Sequence, residues 1–150
     1  MTAVLTGRRS RLSVEGVAAL FEYLEARALK TRTIRAFQDI ILLRALFYAA
    51  GARKDFFDLC MPNDQSMIGL NKDFYPVPQS FVALCQYLPS SGRLFERRFD
   101  DRQLNKKLRR LGEYAGLNEI VTPSIFRLFA QSVWASLLID GRTKGNLPRR

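Results

Sequence analysis

The side chains best suited to chemistry in this chain are two arginines, a lysine and a serine, and the chemistry they suit is the grip of an anion. Thr122-Pro123-Ser124-Ile125-Phe126-Arg127 reads as a helix start. Thr122 supplies a capping hydroxyl, Pro123 suits the first helical position, and Ser124 and Arg127, three apart, share one face of the first turn. Backbone N–H groups at such a turn, with the positive end of the helix dipole, favour a phosphate. Upstream, Arg53 follows Gly51-Ala52, and Lys72 occupies the tip of an expected hairpin. A guanidinium holds a phosphate through two parallel hydrogen bonds, and a lysine holds it as a point charge. No catalytic residue is assigned. Tyr23, Tyr48, Tyr75, Tyr87 and Tyr114 all precede Arg127, and the stretch from Leu128 to Arg150 holds no Tyr, His or Cys.

Charge points the same way. The net charge of +10 calls for a polyanionic partner, but it is unevenly placed. Arg8, Arg9, Arg11, Arg142, Lys144, Arg149 and Arg150 lie in acid-free tails and supply seven charges, leaving +3 for Ser13 to Asp140. Within that body, Arg93 to Arg110 carries eight basic residues against Glu96, Asp100 and Asp101. Arg97, Arg98, Arg102, Lys106, Lys107, Arg109 and Arg110 are read as a basic surface for a DNA backbone. Trp134 and the phenylalanines recur at helical spacing and read as core rather than as a base-stacking platform.

Other classes fall away. The chain has no histidine and two cysteines, so zinc fingers, His-dependent hydrolases and haem ligation are disfavoured, and no metal or cofactor is called for. Cys60 and Cys85 lie among apolar residues and read as small buried thiols. Met1–Arg11 lacks the apolar core of a signal peptide. The longest apolar tract, Ile40 to Ala52, is broken by Arg44 and falls short of the roughly 20 residues a membrane span needs. The expectation is a cytoplasmic, nucleoid-associated protein without a membrane partner.

The elements that must position these residues are mainly helical. At 150 residues and 47% hydrophobic, the chain is long and apolar enough for one cored domain over 13–141, with basic tails at 1–12 and 142–150. Ser13 caps a helix with the stripe Val14, Val17, Leu20, Phe21, Leu24. Thr33 opens a second helix, apolar nearly all round and hence central, with Gly51 as its stop. A short helix over Lys54–Cys60 is followed by a hairpin, Ser66–Leu70 and Phe74–Val77 around Asn71-Lys72-Asp73. Pro78 starts another helix. Asp100 or Asp101 caps the next, whose Leu104, Leu108 and Leu111 face inward while Lys106, Lys107, Arg109 and Arg110 face out. Gly116 ends it, and the Thr122 helix runs to about Asp140 before Gly141.

This order of helix, apolar helix, Gly-Ala-Arg turn, short helix, Lys-bearing hairpin, helix, basic helix and Thr-Pro-x-x-x-Arg resembles the catalytic domain of the tyrosine recombinases, the phage-integrase family. The likeness covers about Arg11 to Gly141. It includes Arg11-Leu12-Ser13-Val14-Glu15-Gly16 at the domain's opening and Gly116-Leu117 ahead of Thr122-Pro123. It implies the DNA breaking-rejoining fold, mainly α with a small β-hairpin and shortened at its C-terminus. Family members activate a DNA phosphate with two arginines, a hairpin lysine, two histidines or a histidine and a tryptophan, and a tyrosine nucleophile.

Carried onto this chain, Arg53 or its neighbour takes the first arginine position, Lys72 the lysine and Arg127 the second arginine, while Ser124 stands at the histidine. Two registers compete at the first arginine. One keeps Arg53 and leaves Phe56 at the family's glutamate; the other anchors on Asp55 and Leu59 and leaves Ala52 at the arginine. The later histidine or tryptophan and the tyrosine have no counterpart. The resemblance therefore implies a non-catalytic protein that binds double-stranded DNA through phosphates, as a regulator or accessory factor of a mobile element or plasmid, with a homo-oligomer or a recombinase as possible partner. Two alternatives stand: a recombinase subunit whose nucleophile comes from a partner, and a helical protein-interaction module.

Overall fold

The computed structural model describes residues 12–53, 55–70, 72–89 and 92–143. Helix α1 (Val14–Thr31) begins where expected, with Ser13 Oγ accepting the Gly16 N–H at 2.9 Å. Its stripe Val17, Leu20, Leu24 and Ala28 is buried, and Arg32 ends it in the left-handed region at φ 58. Helix α2 (Ile34–Tyr48) is capped by Thr33, whose Oγ1 accepts the Ala36 N–H at 3.2 Å. As its all-round apolar sequence predicts, α2 is central and packs on α1, on α3 (Gln79–Cys85) and on α5 (Pro123–Thr143). Phe37, Ile40, Ile41, Leu43 and Leu46 are fully buried there, worth about 1.5–3 kcal/mol each in area removed from water.

The chain leaves α2 differently from expectation. The helix stops at Tyr48, and Gly51 is not in the left-handed region, so a glycine does not end it. Ala49, Ala50 and Ala52 turn through the core instead. A single 3-10 turn, Phe56–Asp58, replaces the expected short helix. It exists to seat Phe56 and Phe57, which pack with Phe95 at ring separations of 5.0 to 5.4 Å.

Strands β1 (Met67–Leu70) and β2 (Asp73–Pro76) form the expected hairpin. Leu70 pairs with Asp73, and Lys72 lies in the turn between the strands. Gly69 is dictated by close approach, since a Cβ there would lie 2.2 Å from Phe74 Cδ1. Helix α4 (Asp101–Tyr114) starts with a reciprocal capping box. Asp100 Oδ1 accepts the Gln103 N–H at 2.7 Å, and Gln103 Oε1 accepts the Asp100 N–H at 3.0 Å. It ends as the sequence predicts: Gly116 takes φ +80, its N–H reaches the Glu113 carbonyl, and the Leu117 N–H reaches the Gly112 carbonyl.

The described molecule is mainly helical with a small two-stranded antiparallel sheet. Four local expectations need correction. Leu12, assigned to the basic N-terminal tail, is buried in the core. Helix α5 runs through Gly141 and Arg142 to Thr143, since one glycine costs a helix only about 1 kcal/mol. Cys60 is exposed at the hairpin edge, where its N–H bonds the Gly69 carbonyl, and only Cys85 is buried. Trp134 is 37% exposed, its indole N–H donating to the Phe47 carbonyl at 2.9 Å. Residues 1–11 and 144–150, and with them most of both basic tails, lie outside the described residues.

Candidate anion-binding cleft

Phe126 fixes the rotation of α5. Its ring is fully buried and its N–H bonds the Thr122 carbonyl at 2.9 Å, which turns Ser124 and Arg127 together onto one side of the helix start. Thr122 Oγ1 accepts the Ile125 N–H at 3.2 Å, and Pro123 has no N–H. The Ser124 N–H is the first-turn donor left without a partner among the described residues. From the other side, Ala52 packs into the core and the next residue, Arg53, emerges. Arg53, Ser124 and Arg127 line one cleft of about 620 Å³ between the 3-10 turn, the start of α4 and the start of α5. Of the two registers, the one with Arg53 at the arginine position puts a guanidinium in this cleft; Ala52 is buried.

The electrostatics are those of a site short of negative charge. Arg127 lies over the Phe56 ring at 6.0 Å and its Nε is buried with no hydrogen-bond partner. Burial pulls the Arg127 guanidinium below its ordinary range, and the positive charge of Arg53 lowers it further; Asp101 opposes both. The cleft is not uniformly basic. Asp100 and Asp101 stand at its rim, with Asp100 engaged in capping α4, and the third arginine, Arg98, is bonded to Asp58. The open demand is therefore at Arg53 and Arg127. Neither Arg53 nor Arg127 is in an ion pair among the described residues, and both line the cleft beside the Ser124 N–H. No histidine or cysteine lines the cleft; its titratable carboxylates are Asp100, engaged in capping α4, and Asp101.

The remaining predicted residues disperse. Lys72 is exposed at the hairpin turn and does not line the cleft. Arg102 and Arg109 are exposed on α4, Arg109 with its Nε on Asn105 Oδ1 at 3.1 Å. Arg97, Lys106 and Arg110 line a different cavity beside α2. Lys107 is a correction. Its Nζ lies 2.7 Å from Oδ1 of Asp39, a buried carboxylate on α2 whose Oδ2 takes Arg27 at 3.2 Å. Lys107 is thus a structural cation and not part of a surface free for DNA. Sequence carried the clue in two places. Lys107 falls three after Leu104 and four before Leu111, within the inward stripe, and Asp39 is a lone carboxylate in an apolar helix that requires a counter-charge.

No family model, curated protein or solved structure matches this chain. Two further facts bound the chemistry. Among the described residues, no three His, Cys, Asp or Glu side chains cluster as metal ligands, and no helix is long and apolar enough to cross a membrane.

Proposed function

We propose that this chain is a non-catalytic DNA-binding protein related to the tyrosine recombinases, which holds duplex DNA through backbone phosphates and acts as a regulator or accessory factor of a mobile element or plasmid. The observation that carries the reading is the convergence of Arg53 and Arg127, 74 positions apart in sequence, on one cleft beside a helix start. Their mutual repulsion, with neither in an ion pair among the described residues, favours an anion in that cleft. The two arginines clamp one phosphate, Ser124 adds a hydroxyl, and the exposed Arg102 and Arg109 on α4 take neighbouring phosphates. Ser124 at the family's histidine position argues for holding and against cleavage, because a serine hydroxyl, unlike an imidazole, does not exchange a proton near neutral pH.

Fluorescence anisotropy with a labelled duplex tests the reading. About six phosphate contacts lower affinity roughly 10³-fold between 50 and 200 mM salt. A flat salt response refutes phosphate-driven binding, and absence of any duplex binding leaves the protein-interaction module in its place. A covalent adduct formed by this chain alone on a nicked duplex refutes the non-catalytic assignment.

A further inference from the structure

The cavity on the other side of Phe99 and Gln103 has a make-up that a DNA backbone does not require. Its volume is about 320 Å³, at the lower end of the roughly 300–1,000 Å³ typical of small-molecule sites. The floor is apolar, formed by the buried Ile41 and Leu42 of α2 with Leu94 and Phe95. The rim is cationic. Arg35, Arg97, Lys106 and Arg110 face the cavity, and among the described residues none of the four is in an ion pair. Of the two carboxylates present, Asp39 is already held by Lys107 and Arg27, which leaves Glu96. Arg97 lies over the Phe99 ring at 5.3 Å, a flat cationic wall, and Gln38 and the free amide nitrogen of Gln103 complete the lining.

We propose that this cavity binds a free aromatic monophosphate of mononucleotide size. Its ring lies on the apolar floor with the Gln38 and Gln103 amides at its edge, and its phosphate takes Arg35, Lys106 and Arg110. An extended backbone phosphate makes no use of an apolar floor, and a small inorganic anion makes no contact with it. An apolar surface beneath a cationic rim matches a ring that carries a dianion. The cavity shares Phe99 and Gln103 with the Arg53–Arg127 cleft but none of its cations, so the inference does not rest on the DNA reading.

Backbone amide shifts of the full chain, titrated separately with adenosine 5′-monophosphate, inorganic phosphate, adenosine and a blunt unphosphorylated duplex, test it. The expected result is a saturable response to the monophosphate centred on Gln38, Phe99 and Lys106, about tenfold tighter than to phosphate or adenosine alone. Lys106→Glu with Arg110→Glu weakens it by about tenfold or more, whereas Arg127→Glu leaves it unchanged. If the double variant does not fold, Arg35→Glu, on the exposed first turn of α2, gives the same readout. Non-saturating shifts, an equal response to inorganic phosphate, or shifts centred on Arg53 and Arg127 overturn the proposal. So does a duplex response at these amides without one to the monophosphate.

Discussion

Replacing Lys107 by methionine separates a structural cation from a DNA contact. The substitution keeps most of the stem and removes the ammonium 2.7 Å from Asp39 Oδ1. The Asp39 side chain is 5% exposed and that of Lys107 24%, so the carboxylate cannot replace its lost partner freely with water. Removing one member of a fully buried pair costs about 3–5 kcal/mol. Two features reduce that here. Arg27 remains on Oδ2 at 3.2 Å, though a third exposed, and the vacated position is near enough to the surface for water to enter. A loss of about 2–3 kcal/mol results, or roughly 4–12 °C in Tm for a domain this size. Lys106→Met is the control: the neighbouring residue is exposed, and its loss stays within about 0.5 kcal/mol. Urea denaturation followed by circular dichroism reads both. Pairing Lys107→Met with Asp39→Asn recovers part of the loss, because the stranded charge is then gone. Equal stability of the two lysine variants, with Lys107→Met instead weakening DNA binding, refutes the buried-pair argument.

Other expectations are checked as directly. Arg127→Glu places a carboxylate against Arg53 and lowers duplex affinity by about 2 kcal/mol or more while the circular dichroism spectrum is retained. A thiol reagent at pH 8 labels one cysteine per native chain. Cys60 is exposed, whereas burial pushes the Cys85 thiol up to about 12 and leaves it protonated until the chain unfolds. The same shift carries a sign for stability. The unfolded thiol ionises near its ordinary 9.0 and the folded one does not, so the Cys85 contribution is complete below pH 9 and is lost as pH rises toward 12. A Cys85→Ser variant, compared with the parent, removes that alkaline slope. Gly116→Ala forces an L side chain into φ +80 and costs about 1–2 kcal/mol in urea denaturation, while Gly92→Ala provides a second left-handed glycine for comparison at φ +85.

What sequence reveals about this fold follows how local the physics is. Ser13, Thr33, Asp100 and Thr122 cap helices because a short side-chain oxygen meets an N–H three residues on; three lie where sequence reading puts them, and Asp100 is one of the two positions it offers for α4. Gly116 is legible for the same reason, since only its own backbone angle and the preceding turn decide it. The misreadings are tertiary. Gly51 looks like a stop, but α2 ends earlier because Ala49, Ala50 and Ala52 are drawn into the core and Phe56 and Phe57 must reach Phe95. Cys60 has apolar neighbours in sequence yet sits outward, as its backbone is committed to bonding Gly69 and bridging Arg93.

The cleft divides along the same line. That Arg127 and Ser124 share a face is a statement about 3.6 residues per turn and needs nothing beyond the chain itself. That Arg53 meets them depends on the alanine turn and on the aromatic cluster under it, neither of which has a periodic signature; a resemblance in element order is the one hint of that pairing. Counting charge misled at Lys107, since a tally weighs all lysines of a basic helix alike, whereas the inward stripe of Leu104, Leu108 and Leu111 had already claimed that position. A buried carboxylate on the central helix forces one basic residue of the surface helix to turn in, so the charge available to any polyanion on α4 is smaller than composition implies. The salt slope of duplex binding, compared between Lys107→Met and Arg109→Met, measures that difference: about one unit lost for Arg109 and none for Lys107.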